Sequence, residues 1–348
     1  MAYLASAACP FANQLLVGTP REDCRFTSRE FKSAVQNKFG LPQSRCVPIL
    51  GRPITNNVNC PPKRVDMYGH SIKTVTGAQG DGTRQLHDSF QNVVSKWMEK
   101  ANIDHNGGAH GKKPTCKGTF DQQVNNLQNF DETLERILNG LIPDFVTYTT
   151  GKNIEGRPKT LFGDAQTLCD VKSLAPGQAY SESTSTNPAD AVKKRESQVT
   201  KDYHKAAKKL DEKLGTVPGT IGPVETEMNT YNSGVVAGLV VGAFGELSPA
   251  LHDLADLIAS EMCANYRQFY DMSPKDGRAL FLQQVRRSWG LHAHRAWAKL
   301  LLDRCRDLVQ TEHPNHSRGP AQNWTNEDDA EAHAHFHHHN PPGRRGRG

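Results

Sequence analysis

The spacing of apolar residues predicts that regular structure is concentrated in the centre of the chain. Between residues 83 and 103, Leu86, Phe90, Val94 and Trp97 recur at intervals of three or four residues. This is the period of an amphipathic helix. The segment is therefore predicted to be a helix with one face packed on a core.

A second amphipathic helix is predicted over residues 120–140, because the spacing is again helical and the pair Asn139-Gly140 is a helix-stop signal. Two strands are predicted next, over residues 143–150 and 167–174. The turn-rich stretch between them favours a hairpin with a long loop.

The second half of the chain alternates in the same way. Asn187-Pro188 predicts the start of a helix that runs to about residue 214. Residues 235–247 are apolar on both faces, which indicates a buried strand. Ser248-Pro249 then begins a helix to about residue 270, and a last helix is predicted over 275–310. The order of elements predicts a mixed α/β fold with a small sheet flanked by helices and with extra C-terminal helices.

These elements divide the chain into four parts. Residues 1–82 are predicted to be a weakly ordered N-terminal segment, 83–247 an α/β core, and 248–311 C-terminal helices packed on that core. Residues 312–348 are predicted to be a disordered tail rich in His and Arg.

Charge and cysteine usage narrow the class of protein. The 348 residues include 42 lysines and arginines and 37 acidic residues, a net charge of +5, which leans mildly towards polyanionic partners. The eight cysteines are irregularly spaced with no CxxC pair, so a disulfide scaffold is not expected. The expected location is the nucleus or another reducing intracellular compartment. The longest apolar run, residues 235–244, is about half the length of a membrane-spanning helix, and no secretory signal pattern is evident.

The two hairpin strands carry unusual charged residues. Asp144 begins the first, and the second has Asp170 and Lys172 among apolar neighbours. Residues two apart in a strand point to the same face, so Asp170 and Lys172 can act together. Two carboxylates suit Mg²⁺, and an ammonium can steady negative charge. The alternatives are a turn at Pro143-Asp144 and a salt bridge between Asp170 and Lys172.

Pro143-Asp144 followed by Asp170-Val171-Lys172 resembles the PD-(D/E)xK signature of restriction-endonuclease-like nucleases. The resemblance covers about residues 120–250. It implies that Asp144 and Asp170 bind Mg²⁺ or Mn²⁺, that Lys172 positions the attacking water, and that an acidic residue on the preceding helix completes the metal shell. Glu135 is favoured for that role because it lies nearer the strand than Glu132.

A second resemblance lies upstream and is to the endonuclease segment of non-LTR retrotransposons. It is carried by Gly40-Leu41-Pro42, Cys46, Cys60, Gly69-His70 and Arg84-Gln85-Leu86-His87-Asp88. That family has a CCHC-type zinc cluster and an Arg-His-Asn/Asp element before its first catalytic strand. This chain has no fourth cysteine after His70, so residues 1–82 are expected to hold a degenerate remnant of the cluster.

Further side chains are candidates for nucleic-acid binding. The helix over residues 188–214 carries eight lysines and arginines, of which Lys194 and Lys201 lie two turns apart on one face. Tyr203 could stack on a base or simply pack. Arg84 and His87 could reach a phosphate or belong to an ordinary first helical turn.

Three hypotheses follow. The first is a metal-dependent endonuclease that hydrolyses DNA phosphodiester bonds and derives from a retroelement. The second is a catalytically inactive nucleic-acid-binding or interaction module of the same fold. The third is an unrelated α/β protein in which the signature is accidental. The nuclease hypotheses require Asp144, Asp170 and Lys172 to converge.

Overall fold

The computed structural model describes residues 9–18, 24–54, 63–74, 82–107, 119–120, 132–148, 162, 166–176 and 188–310. Several predictions above fall outside these residues. They concern Cys60, most of the insert between the hairpin strands, the helix cap at Asn187 and the tail from residue 311 onward.

The bounds of the helices and strands follow. The described α-helices are α1 (Gln14–Val17), α2 (Ser28–Lys38), α3 (His70–Thr74), α4 (Gly82–Lys100), α5 (Glu132–Asn139), α6 (Pro188–Lys213), α7 (Pro223–Thr230), α8 (Pro249–Tyr266) and α9 (Pro274–Gln310). The described strands are β1 (His105–Gly107), β2 (Phe145–Thr147), β3 (Thr167–Leu174) and β4 (Ala237–Gly242).

The four strands form one mixed sheet in the order β1-β2-β3-β4. The pairs β1–β2 and β2–β3 are antiparallel, whereas β3 and β4 are parallel and are joined by a crossover through α6. The prediction of a mixed α/β fold with a small sheet flanked by helices is confirmed. The predicted hairpin and the bounds of β3 are also confirmed.

Alternation along the strands gives the sheet two buried faces. Phe145, Cys169 and Val171 point into a core shared with α4, α8 and α9. Leu168 and Val146 point the other way, into a core under α6 and α7. Helices therefore cover both faces of the sheet. The charged residues lie at the end of the sheet where β2 begins.

Gly238 lets α6 approach β4 closely. A Cβ atom at this position would lie 3.0 Å from the Cα of Glu196 and 3.1 Å from Val199 Cγ2. Gly238 is the register partner of Asp170 on β3. The absence of a side chain at Gly238 therefore sets how close α6 lies to the strand that carries the charged pair.

The N-terminal segment is more ordered than predicted. Helix α2 begins with a capping box at Thr27 and Glu30, in which the Thr27 side chain accepts from Glu30 N–H and the Glu30 carboxylate accepts from Thr27 N–H. Residues 24–54 and 63–74, called here the N-terminal unit, also have their own apolar core. It includes Ile49, Val65 and Ile72, and it packs on α9.

Four described elements, β1, α1, α3 and α7, were not predicted from the sequence. Strand β1 has three residues, too few for a periodic pattern. Helix α7 begins at Gly222-Pro223, where the buried carboxylate of Asp211 accepts from the N–H groups of Val224 and Glu225 at 2.8 and 2.9 Å. Such a cap, supplied from a distant helix, is not visible in the local sequence.

Replacing Gly238 with alanine is expected to lower the free energy of unfolding by about 1–3 kcal/mol, because the added methyl group overpacks the contact with α6. Urea denaturation would measure the loss. Ser197→Ala, at an exposed position on α6, is the matched control and should change stability by about 0.5 kcal/mol or less. Equal midpoints for the two variants would contradict the tight contact.

Candidate functional site

The charged residues of the hairpin meet where β2 begins. Phe145 pairs with Cys169, and Asp144 N–H donates to Cys169 O at 2.9 Å, so Asp144 lies beside Asp170 across the two strands. Their carboxyl groups lie close enough that each shifts the pKa of the other. The convergence required by the nuclease hypotheses is therefore present for the two carboxylates.

Asp144 is held in place by two donors. Its Oδ2 atom accepts from Val171 N–H at 2.6 Å and lies 3.0 Å from His87 Nε2. Burial opposes the ionisation of Asp144, but His87 and the Val171 N–H outweigh it, so the pKa of Asp144 is lowered. Asp144 is thus a fixed, ionised carboxylate.

Asp170 and Lys172 form a close pair. The Lys172 Nζ atom lies 2.9 Å from Oδ1 and 2.8 Å from Oδ2 of Asp170. The Asp170 side chain is 4% exposed, whereas that of Lys172 is 38% exposed. Burial and the neighbouring charge of Asp144 raise the pKa of Asp170 to about 7, although Lys172 acts in the opposite direction. Two crowded carboxylates therefore share the site, and one of them holds its proton near neutral pH.

Helix α4 supplies the other side of the site. His87 Nε2 contacts Asp144, and His87 Nδ1 lies 3.1 Å from Asp88 Oδ1. Burial would lower the pKa of His87, but the hydrogen bond and the charge of Asp144 raise it to about 9. At neutral pH the imidazolium donates to both carboxylates. Arg84, Asp88, His87 and Asp144 thus form a row of alternating charges, in which the exposed Arg84 has its Nε atom 3.7 Å from Asp88 Oδ2.

Gln91 is a site residue that sequence reasoning missed. Its Nε2 atom donates to the backbone oxygen of Asp144 at 3.2 Å. Gln91 lies four residues after His87, so both side chains project from one face of α4. The spacing of four residues from His87 was the signal in the sequence that could have identified Gln91 as a site residue. The helix that contacts the carboxylate pair is therefore α4, which lies before β1.

The other predicted site residues lie elsewhere. Glu135 is exposed on α5, and none of the contacts in the described part of the chain joins it to Asp144 or Asp170. Tyr203 is 3% exposed and packs in the core beneath α6, so the prediction that it stacks on a base is wrong and it is a packing residue. Lys194 and Lys201 are exposed on α6, as a phosphate-contacting face requires.

The donor set fits a hard divalent cation with few protein ligands. Mg²⁺ is commonly held by one or two carboxylates together with water and substrate phosphates. Asp144 and Asp170 provide two such groups, and the negative charge of Asp144 is near enough to raise the pKa of Asp170. Within the described ranges no group of three or more His, Cys, Asp and Glu side chains could hold a metal ion.

Cys46, which the upstream resemblance assigned to a degenerate zinc cluster, lies in an apolar core. Cys46 is buried, and its Sγ atom lies 3.9 Å from Sγ of Cys305 on α9, in the apolar cluster of the N-terminal unit. His70 stacks on Tyr68 at the start of α3. The predicted partner Cys60 is outside the described residues.

Comparison with known proteins adds no relative. No model of a protein family, no curated protein and no solved structure matches the chain. Among the helices that the structure describes, none has the length and apolar character needed to cross a membrane.

The ion pair between His87 and Asp144 predicts a pH-dependent stability. Because the pKa of His87 is raised from 6.5 to about 9 on folding, its contribution is complete below pH 6.5 and is lost as pH rises through about 9. The free energy of unfolding of the wild type should exceed that of His87→Gln by an amount on the order of 1–3 kcal/mol at pH 6, and the difference should shrink by pH 10. In an Asp144→Asn background the pH dependence should be smaller, because only Asp88 then remains to raise the pKa of His87. A difference that stays constant with pH would refute the ion pair.

Asp170 predicts a loss of stability in the same direction but in a lower pH window. Its pKa is raised from 3.8 to about 7 on folding, so the folded chain binds the proton more tightly and the wild type loses stability as pH rises through this window. Asp170→Asn cannot ionise. The stability of this variant relative to the wild type should therefore rise between pH 4 and pH 8, by about 1 kcal/mol or more. Chemical denaturation at both pH values measures this, and a relative loss at pH 8 would contradict it.

Proposed function

We propose that the chain is a metal-dependent endonuclease that hydrolyses DNA phosphodiester bonds through a PD-(D/E)xK site. The observation that carries the proposal is the convergence of Asp144, Asp170 and Lys172 near the start of β2. The Nζ atom of Lys172 lies 2.8–2.9 Å from the carboxylate oxygens of Asp170. The mixed sheet with a helical crossover between β3 and β4 is compatible with the restriction-like fold that the signature implies.

In this proposal Asp144 and Asp170 hold Mg²⁺ or Mn²⁺. A bound ion of this kind acts as a Lewis acid and lowers the pKa of a bound water molecule. His87 and the Val171 N–H keep Asp144 fixed and ionised. Lys172 is the more exposed member of its pair, so its ammonium can orient water or offset negative charge on the phosphate.

Positive charge around the two carboxylates supports a phosphate-containing substrate. His87 and Lys172 lie close enough that the charge of Lys172 lowers the pKa of His87. The exposed residues Lys194 and Lys201 add positive charge on α6. Such groups attract a DNA backbone without reading its sequence. The origin from a retroelement belongs to the same proposal and is supported by the Arg84–His87–Asp88 row beside the site.

The decisive experiment is cleavage of supercoiled plasmid by the full chain with Mg²⁺, with Mn²⁺ and with a chelator. The wild type should nick the plasmid only with metal. Asp170→Asn should reduce the rate by about 10²-fold or more, because a metal-holding carboxylate is lost. Asp202→Asn, which alters an exposed carboxylate paired with Arg195, is the matched control and should cleave normally. Cleavage by Asp170→Asn at the wild-type rate would exclude this site.

A second candidate function is a nucleic-acid-binding module without catalysis. It is favoured by the cations His87 and Lys172, which already occupy carboxylate oxygens of Asp144 and Asp170, and by the lack of a third ligand group in the described part of the chain. The same purified protein separates the two. Salt-sensitive retardation of DNA in a gel, with no nicking in any metal, would support the binding module.

A further inference from the structure

The positive charge of the chain is concentrated in the N-terminal unit. Its described residues include nine lysines and arginines and two acidic residues, a net charge of +7. The whole chain has a net charge of +5, so the remaining residues together carry −2. Lys38 and Lys73 are buried, so the other seven lysines and arginines, which are at least partly exposed, are the ones that can attract a polyanion.

Both acidic residues of the unit are engaged in its structure. Glu30 is 7% exposed, caps α2 and pairs with Arg295. Asp66 accepts from the N–H groups of Tyr68, His70 and Ser71 and from the Ser71 hydroxyl. The charge of Glu30 is offset by Arg295, whereas Asp66 remains ionised and its oxygens are occupied by the turn.

Basic side chains project from a short two-stranded ribbon. Gly51 N–H donates to Val65 O at 2.9 Å, and Ile54 N–H donates to Lys63 O at 2.7 Å, which pairs residues 51–54 with 63–65. Ile54 and Val65 are buried against α9, whereas Lys63 and Arg64 are exposed. Arg45 is also exposed, in a segment tied to the same turn because Gln43 N–H donates to Met67 O.

A pair of stacked aromatic rings, called here the platform, follows Lys63 and Arg64 within seven residues of the chain. The rings of Tyr68 and His70 stack with centroids 5.7 Å apart and an interplanar angle of 29°. Tyr68 is 39% exposed. The carboxylate of Asp66 holds the turn that carries both rings. Gly69 lies in this turn with a φ of +68°, and a Cβ atom at this position would lie only 2.4 Å from Leu301 Cδ1, so the turn packs tightly on α9. The platform is thus rigid and partly open to solvent.

Exposed aromatic rings beside cations suit unpaired bases. A base in single-stranded nucleic acid has a face available for stacking, while bases inside a duplex are already stacked on each other. The phosphates of a single strand would contact the basic side chains at the same time.

The platform is also close to the carboxylate site along α9. Leu301 and Cys305 pack under the N-terminal unit, and Trp297 and Leu300 contact Leu86, the residue before His87. Residues 297–305 of a helix span about 12 Å. One stretch of α9 therefore connects the core beneath the platform with the helix that carries His87.

We propose that the N-terminal unit is a binding site for single-stranded nucleic acid, with a base stacked on Tyr68 and phosphates held by Arg45, Lys63 and Arg64. The proposal goes beyond the nuclease function and does not require cleavage. Binding is therefore tested in the absence of metal.

The test uses the full chain carrying Asp170→Asn, a chelator and a fluorescein-labelled 20-nucleotide single strand, with Kd obtained from fluorescence anisotropy at several salt concentrations. Tyr68→Ala should weaken binding about 5- to 100-fold, the range for loss of one base-stacking contact. Tyr68→Phe keeps the ring and should bind within about twofold of the parent chain. Replacing both Lys63 and Arg64 with alanine should weaken binding and reduce the salt dependence by about 1.4 in log–log slope.

Lys275→Ala with Arg278→Ala, an exposed pair at the start of α9, is the matched control for charge removal and should have a smaller effect than the Lys63–Arg64 pair. Thermal denaturation identifies any variant that fails to fold. If Tyr68→Ala fails to fold, the variant without Lys63 and Arg64 still tests the proposal, because both of these side chains are exposed. The proposal is overturned if folded Tyr68→Ala binds like the parent, if the control pair weakens binding as much as the Lys63–Arg64 pair, or if a duplex of the same length binds as tightly as the single strand.

Discussion

Helix α9 is the constraint on which the rest of the structure depends. Over 37 residues it contributes to the core beneath the sheet, through Phe281, Val285 and Trp289, and to the core of the N-terminal unit, through Leu301 and Cys305. A helix that buries side chains along several faces cannot be stable as a surface helix. Its neighbours must be in place for it to fold, and they in turn depend on it for their cores.

The position of the candidate site follows from this packing. Helix α9 holds α4 through the hydrogen bond from Trp97 Nε1 to Ser288 Oγ at 2.9 Å and the contact between Ser89 Oγ and His292 Nε2 at 2.6 Å. It also holds the end of β4, where Trp297 Nε1 donates to Gly242 O. With α4 fixed, His87 reaches Asp144, and two carboxylates are balanced by two cations at one edge of the sheet. The ionised Asp144 is tolerated in this position because His87 carries the opposite charge, whereas the raised pKa of Asp170 lets that carboxyl keep a proton near neutral pH.

The elements that the sequence predicted correctly are those specified by residues close together in the chain. Strand β3 has alternation and apolar flanks, α2 has a capping box, and α8 begins at a Ser-Pro pair, so each could be located from the sequence. The pairing of Asp170 with Lys172 followed from the period of a strand. These features depend on residues only a few positions apart.

The rest depended on contacts between distant parts of the chain. The N-terminal unit looked weakly organised because its polar sequence hides interactions such as the buried hydrogen bond from Lys73 Nζ to Asn37 Oδ1 at 2.7 Å. The acidic helix was sought next to β2 in sequence, whereas α4, more than forty residues earlier, faces the site. Tyr203 is one of several residues at helical spacing, and the spacing alone does not distinguish a base-stacking ring from a packing ring.

The core shared by Cys46 and Cys305 joins segments that are 259 residues apart. The boundaries drawn from composition, near residues 82 and 248, therefore do not separate autonomous folding units. An excised 83–247 fragment would lose both the N-terminal unit and α9, and its sheet would expose the apolar face that α9 covers. Exchange of this fold between proteins, by recombination or by engineering, must therefore carry both flanking regions along with the central sheet, so the transferable module is far larger than the segment that bears the signature.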